Sequence, residues 1–275
     1  MNARNQKPNK APNDTAKSDI FASAESKRDY NRQLFSTVAP RYTTATRVLS
    51  FGRDQAWKRD LLQECENRLS EAQAPGGEAH SAQARSGAGM RILDLACGTG
   101  DLTLALAERF PQADVLGVDL NPEMLAEAVR RLQARHGNVR FVEADMGSLP
   151  YEENQFTLIT AGYALRNAPE LSRTLQEISR VLQPDGLLAI LEFSRSPVPA
   201  LSYISISLLR FWGSLWGLLL HGDASVYGYI ARSLAHYPDR ARFNELLSEY
   251  GFNPPERRLR MFGLLELCFT HGTAR

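Results

Sequence analysis

The chain has 275 residues, 43% of them hydrophobic and 23% charged, with a formal net charge of +1. These values are ordinary for a globular protein and leave room for one large α/β domain with an appendage. The near-neutral balance gives no basic footprint for nucleic acid. Cys65, Cys97 and Cys268 show neither a CxxC pair nor zinc spacing, so reduced thiols in a cytoplasmic setting are expected.

Met1–Lys27 is polar and lacks an apolar run, so residues 1–28 are read as a disordered tail with no signal peptide. From Tyr30 to Leu69 apolar residues recur at helical spacing, interrupted at Pro40 and Gly52, which predicts a helical cap over residues 29–69 that packs as a separate unit. Ser70–Gly89 is small and polar and reads as a flexible linker. The main domain, 90–275, then alternates strand and helix signals. Strands are expected at Arg91–Ala96, Val115–Asp119, Val139–Glu143, Phe156–Ala161 and Leu187–Phe193. Helices are expected at Leu102–Arg109, Pro122–Arg135 and Leu171–Leu182. Asn121-Pro122 supplies an N-cap and a first-turn proline. Such alternation builds a parallel sheet covered on both faces. An inserted helical lid breaks the rhythm at about 197–238, followed by a helix at Arg240–Tyr250 and two strands within Arg257–His271.

Asp94-Leu95-Ala96-Cys97-Gly98-Thr99-Gly100 joins the first strand to the first helix through a glycine turn, where a ligand can sit against bare backbone N–H groups. A nicotinamide dinucleotide site favours a third glycine, and Thr103 stands in that place. No Gly-Lys-Ser/Thr follows, which excludes a Walker A loop. Asp119 ends the second strand, where a carboxylate can accept from both ribose hydroxyls. Asp145 follows the third strand and can accept from an adenine amino group, with Leu120 and Met146 as apolar walls. Either acid alone reads equally well as a solvated loop residue or a helix cap. The ordered set fits S-adenosyl-L-methionine, which carries a nucleoside and an amino-acid end but no phosphate. No metal spacing is present; His221, His236 and His271 form no HExxH pattern, though His236 could line the lid.

These motifs resemble those of class I S-adenosylmethionine-dependent methyltransferases. More narrowly, the chain resembles the UbiE/MenG family of quinone-ring C-methyltransferases from about Phe35 to its end. The likeness rests on Leu93–Thr103, on Ala164-Leu165-Arg166-Asn167, on Arg180–Pro184 and on Leu191-Glu192-Phe193-Ser194. Ser50-Phe51-Gly52 with Trp57-Lys58, then Asp223-Ala224, Tyr227, Tyr229 and Pro238-Asp239, match as well. The resemblance implies a Rossmann-like α/β fold: a seven-stranded sheet, mostly parallel with its last strand antiparallel, with an N-terminal helical cap and a helical lid. It implies cofactor contacts at Asp94, Gly98, Thr99, Gly100, Asp119, Asp145, Met146 and Gly162. The chain departs from the pattern at Tyr42–Thr46, and Asp54 stands where the family has His. Gln183-Pro184-Asp185-Gly186 replaces Lys-Pro-Gly-Gly.

The resemblance implies methyl transfer to a ring carbon of a prenylated quinol, demethylmenaquinol or 2-methoxy-6-polyprenyl-1,4-benzoquinol. A ring carbon attacks well only when a neighbouring phenol has lost its proton, so a cation beside that oxygen is the useful device. Arg166 is expected to stabilise the phenolate and Asn167 to hydrogen-bond the second ring oxygen or a water. Tyr42, or a water beside Arg166, is the expected proton route. Glu192 is expected either to orient Arg166 or the acceptor, or to cap a helix; Tyr227 and Tyr229 are expected to pack. Leu201–Leu220 is long and greasy, and a buried lid helix is its plain reading, with an interfacial or prenyl-tail-binding surface as the alternative. This picture admits peripheral contact with the inner membrane and a homodimer. Two other functions fit the same motifs: methylation of another aromatic small molecule, and a non-catalytic cofactor-binding subunit of a quinone-synthesis assembly.

Overall fold

The apolar run Arg91–Leu95 becomes strand β1, the centre of the molecule. Ile92, Leu93 and Leu95 are fully buried, as a strand covered on both faces requires. In this computed structural model, which describes residues 20–72, 88–133, 136–196 and 198–273, β1 is joined by β2 (Asp114–Asp119), β3 (Val139–Glu143), β4 (Phe156–Gly162), β5 (Leu182–Phe193), β6 (Glu256–Arg260) and β7 (Leu265–His271). The sheet order is β3-β2-β1-β4-β5-β7-β6. Pairing is parallel from β3 through β5, and β7 runs antiparallel to both its neighbours. This is the expected mostly parallel sheet with an antiparallel last strand. The order reverses between β1 and β4, and the crevice beyond their carboxyl ends is where such sheets bind ligands.

Strand β5 starts five residues earlier than expected. Leu182 pairs with Phe156 and Leu187 with Leu158, so Gln183–Gly186 loops out as a bulge, with Asp185 at φ +59°. The α1 helix (Ala24–Val38) starts at Ser23, whose Oγ accepts from Ser26 N at 3.1 Å. The chain is therefore folded from Ile20, which is buried, inside the stretch expected to be tail; residues 1–19 and most of the expected linker lie outside the described residues. Helix α2 covers Tyr42–Leu49 and α3 covers Asp54–Ala72. Trp57, Leu61, Leu62, Cys65 and Leu69 of α3 are buried in the core of the sheet. So α3 covers the sheet instead of joining a separate cap. Tyr30, Leu34, Val38 and Ala45 of α1 and α2 pack with Met124, Val226, Tyr227 and Tyr229 in a second, smaller core.

Helices α4 (Asp101–Arg109), α5 (Pro122–Arg130) and α6 (Leu171–Val181) complete the layers, with α9 (Arg240–Glu249) behind. Asn121 caps α5 by accepting from Met124 N at 3.0 Å. The lid is a helical pair, α7 (Pro199–His221) and α8 (Ser225–His236). Gly213 and Gly217 of α7 lie so close to α8 and its approach that an added Cβ would meet the Tyr227 and Asp223 carbonyl oxygens at 2.6 Å. The opposite face of α7 is bare: Tyr203 is 74% exposed, Phe211 69% and Leu208 63%. The expected buried lid helix is corrected here. Among the described residues, Ser202, Leu209, Gly213 and Gly217 form the buried side of α7, Trp212 stacks on Phe51 at its flank, and the remaining large apolar side chains stay open because the fold covers the helix on one side.

Candidate active site

The glycine turn is built by backbone geometry and a buried carboxylate. Gly98 and Gly100 have φ of +55° and +80°, and a Cβ on Gly100 would meet the Phe141 ring at 2.8 Å. Asp94, at 1% exposure, accepts from Thr103 Oγ1 at 2.6 Å and from Thr160 Oγ1 at 2.8 Å. Burial pushes its carboxyl up to about 6, with the two threonine hydroxyls pulling the other way. Asp94 thus ties the turn to α4 and β4 and does not line the crevice. Nor do Thr99 and Gly100. The Thr99 carbonyl instead accepts from Arg131 Nη1 at 2.9 Å. Lys58 Nζ reaches Asp54 at 2.7 Å and Asp101 at 3.2 Å, which pins α3 to the first turn of α4. Burial alone would raise the Asp101 carboxyl, but Lys58 and Arg131 hold it below the usual range.

Six of the expected cofactor residues do meet in one cleft of about 740 Å³: Gly98, Asp119, Leu120, Asp145, Met146 and Gly162. Asp119 accepts from Gly98 N and Asn121 N, each at 2.8 Å, and burial raises its carboxyl against those bonds. Two arginines from α1 line the same cleft, and both are paired: Arg28 with Asp145 at 2.7 Å and Arg32 with Glu143 at 3.4 Å. Helix α1 is further fastened over the cleft by Asn31 Nδ2 to the Asn167 carbonyl at 2.7 Å and by Asn121 Nδ2 to the Arg32 carbonyl at 3.0 Å. A cleft with carboxylates, apolar walls and no unpaired cation among its lining residues suits a nucleoside bearing a positive centre and does not suit a phosphate.

A second cavity, about 720 Å³ and mostly apolar, adjoins the first. Tyr42, Tyr163, Phe35 and Asn167 line both, so these residues mark the junction. Arg166 lies on the wall of the second cavity at 8% exposure. Its guanidinium makes a very short contact with Glu192 and donates to the Tyr163 carbonyl at 3.0 Å. Its own backbone N–H donates to the other Glu192 oxygen at 3.2 Å. Burial would lower the Arg166 pKa, but the Glu192 carboxylate more than offsets that and raises it. Arg166 Nε and Asn167 Oδ1 are buried and have no hydrogen-bond partner among the described residues. A donor and an acceptor left over beside an apolar cavity fit a flat ring that carries oxygens. Tyr42 is a neutral phenol, its pKa raised first by burial while Lys58 and Arg166 pull it down.

The chain matches the profile of the ubiE/COQ5 methyltransferase family over residues 23–267. It belongs to that family. The demethylmenaquinone methyltransferase of Thermus thermophilus is 36% identical over 220 residues, covering 80% of this chain and 91% of that one. The ubiquinone/menaquinone biosynthesis C-methyltransferase UbiE of Syntrophotalea carbinolica is 34% identical over 236 residues, covering 86% and 91%. Among solved structures, the complex of the Haloferax volcanii Trm112 methyltransferase activator with a methyltransferase aligns with a TM-score of 0.57 at 16% identity, covering 87% of this chain and 98% of that one. The Haemonchus contortus phosphoethanolamine N-methyltransferase 2, in complex with S-adenosyl-L-methionine, aligns with a TM-score of 0.50 at 14% identity, covering 76% and 52%. At such identities these two structures speak for the fold alone.

Sequence reasoning missed the α1 contribution. Lys27 and Arg28 fell in the expected tail, yet Lys27 Nζ donates to the Ala168 carbonyl beside Arg166. Ser23 as an N-cap, followed by Tyr30, Leu34 and Val38 at four-residue steps, was the available signal. His236 stacks on Phe21 with ring centroids 3.9 Å apart and lines neither cavity. His221 instead bonds the Tyr227 hydroxyl at 2.8 Å.

Proposed function

We propose that this methyltransferase transfers the methyl group of S-adenosyl-L-methionine to a ring carbon of a prenylated quinol, demethylmenaquinol or 2-methoxy-6-polyprenyl-1,4-benzoquinol. The observation that carries the reading is the junction of the two cavities, with Arg166 Nε and Asn167 Oδ1 unpartnered beside the apolar one. The relatives named for demethylmenaquinone and for ubiquinone/menaquinone biosynthesis support the acceptor class.

The cofactor, when bound, supplies an electrophilic methyl group. The chain does the rest. In this reading Asp119 accepts from the ribose hydroxyls and Asp145 from the adenine amino group, with Leu120 and Met146 against the ring; that all four line one cleft supports it. The Gly98 and Gly162 backbones leave room for the reacting end. Arg166 holds a phenolate oxygen of the acceptor, and its charge is fixed in place by Glu192. Asn167 orients the second ring oxygen. A water beside Arg166 takes the phenol proton, and once the ring carbon carries the methyl its original proton leaves to the same water so that the ring is aromatic again; the neutral, up-shifted Tyr42 is a poor base and serves better to relay. Helix α1 and the lid exclude bulk water from the junction. We place the enzyme in the cytoplasm, with peripheral contact at the inner membrane where its acceptor resides. Of the described helices, Pro199–His221 is long and apolar enough to cross a membrane by length and composition, but one face of it packs on α8.

Complementation of strains lacking the ubiquinone or menaquinone methylation step tests the reading. Mass analysis of the extracted quinones is expected to show the methyl restored to the ring in at least one strain. Rescue of neither strain would favour another aromatic acceptor.

A further inference from the structure

The apolar acceptor cavity does not end at its own walls. Leu49, Phe193 and Leu209 also line a third, open depression of about 2390 Å³ that runs outward from the cavity. One bank of this groove is the bare face of α7, with Ile204, Leu208 and Phe211. The other is the 3-10 turn Met261–Gly263, where Phe262 stands fully in solvent at φ +55°. From Ile204 to Phe211 the bank is about 10 Å long, at roughly 1.5 Å of rise per residue. Phe51, stacked on Trp212 with centroids 4.8 Å apart, forms part of the floor. Two of the groove's three arginines are neutralised within the fold, Arg240 by Glu266 at 3.0 Å and Arg260 by Asp60 at 2.9 Å. Among the described residues, no carboxylate lines it.

We propose that this groove is the binding site for the isoprenoid chain of the acceptor, which enters it past Leu49, Phe193 and Leu209 while the ring sits against Arg166. This rests on the quinol reading above. A long exposed apolar face is unusual on a protein surface. Its continuity with the ring cavity selects a chain attached to that ring over an independent partner. An elongated trough whose walls are mostly aliphatic and aromatic, with two of its three arginines paired within the fold, matches a flexible hydrocarbon. The bare α7 face, which has no use in a free-standing lid, then becomes the wall that the substrate itself covers.

The test compares initial rates on two quinols sharing one ring, one with a geranyl tail and one with a methyl group in its place, for the full chain and for Leu208→Glu and Phe262→Ser. Both substituted positions are exposed and outside the ring cavity, and Leu208→Met serves as the conservative control. The unsubstituted enzyme is expected to favour the tailed acceptor in kcat/KM by on the order of a hundredfold, the equivalent of roughly three to four fully buried methylenes at about fourfold each. Leu208→Glu and Phe262→Ser are expected to cut that preference roughly tenfold and to leave the tailless acceptor within about twofold, as surface substitutions do. Leu208→Met is expected to keep the preference. Equal efficiency on both acceptors overturns the groove but spares the quinol reading. If the face then proves to hold vesicles or a second copy of the chain, those are its occupants. Turnover of neither acceptor by the unsubstituted enzyme overturns the quinol reading, and the groove with it.

Discussion

Arg166 and Glu192 form a buried ion pair in which one carboxylate holds both the guanidinium and the backbone N–H of the same arginine. This double hold fixes the side chain and the 3-10 turn Leu165–Asn167 together at the mouth of β4. Leaving a buried arginine without its partner costs about 3–5 kcal/mol. Glu192→Ala is therefore expected to lower the melting temperature markedly. Glu192→Gln, which keeps the shape, is expected to fold and to bind cofactor normally while the methyl-transfer rate falls on the order of tenfold. Calorimetric cofactor titration beside single-turnover rates checks this, and an unchanged rate in Glu192→Gln would remove Glu192 from the account.

Asp94 and Asp119 stand at the ends of neighbouring strands and are expected to behave differently. Asp94 is committed to Thr103 and Thr160, whereas Asp119 lines the cleft. Asp94→Asn removes a carboxylate that burial disfavours and is expected to keep cofactor affinity within about threefold. Asp119→Asn is expected to weaken it by about 2 kcal/mol, the scale of hydrogen bonds to a charged group. Titration of both variants with cofactor separates them.

Lys27 gives the fold a pH dependence. Burial, with the Arg166 charge adding to it, lowers its pKa from 10.5 to about 8. Between those values the unfolded chain holds a proton that the folded chain has released, so this group's contribution makes stability rise with pH from about 8 to 10.5. Below about 8 both states are charged and the penalty is constant. Lys27→Met is expected to abolish this part of the slope. Thermal melts of both proteins across that window check it.

Gly213 sits where α7 meets the α8 backbone. Gly213→Ala would place a methyl 2.6 Å from the Tyr227 carbonyl oxygen, and neither backbone can yield cheaply. The expected loss is about 1–3 kcal/mol of stability. A rise in acceptor KM with cofactor affinity intact is expected to accompany it, because Tyr227 lines the ring cavity. Thermal melting and steady-state kinetics read the two effects.

Much of this was legible in the sequence, and the exceptions share a cause. Apolar runs such as Ile92-Leu93 and Leu187–Leu191 fix buried parallel strands because no other structure satisfies them, and Asn121-Pro122 marks a helix start by local chemistry alone. The family resemblance implied a cofactor contact at Asp94, but a motif does not say which way a carboxylate near a strand end turns. Thr103 and Thr160 turn it inward. Lys27 and Arg28 read as part of a polar tail and Asn31 as one more residue of a helical cap, since their importance comes from where α1 docks, which is a tertiary fact. Large apolar residues occur all along the α7 segment, so its composition could not reveal which side packs on α8 and which stays open.

The most direct test of the central claim uses purified protein, S-adenosyl-L-methionine and chemically reduced demethylmenaquinol or the methoxy-polyprenyl-benzoquinol, with product identified by mass and by the position of the new methyl. The account predicts a ring C-methyl product from at least one acceptor. It predicts that Arg166→Ala binds cofactor as the parent does but transfers methyl about 10²–10³-fold more slowly. Cofactor binding without transfer to either quinol, or near-parental turnover by Arg166→Ala, would contradict it.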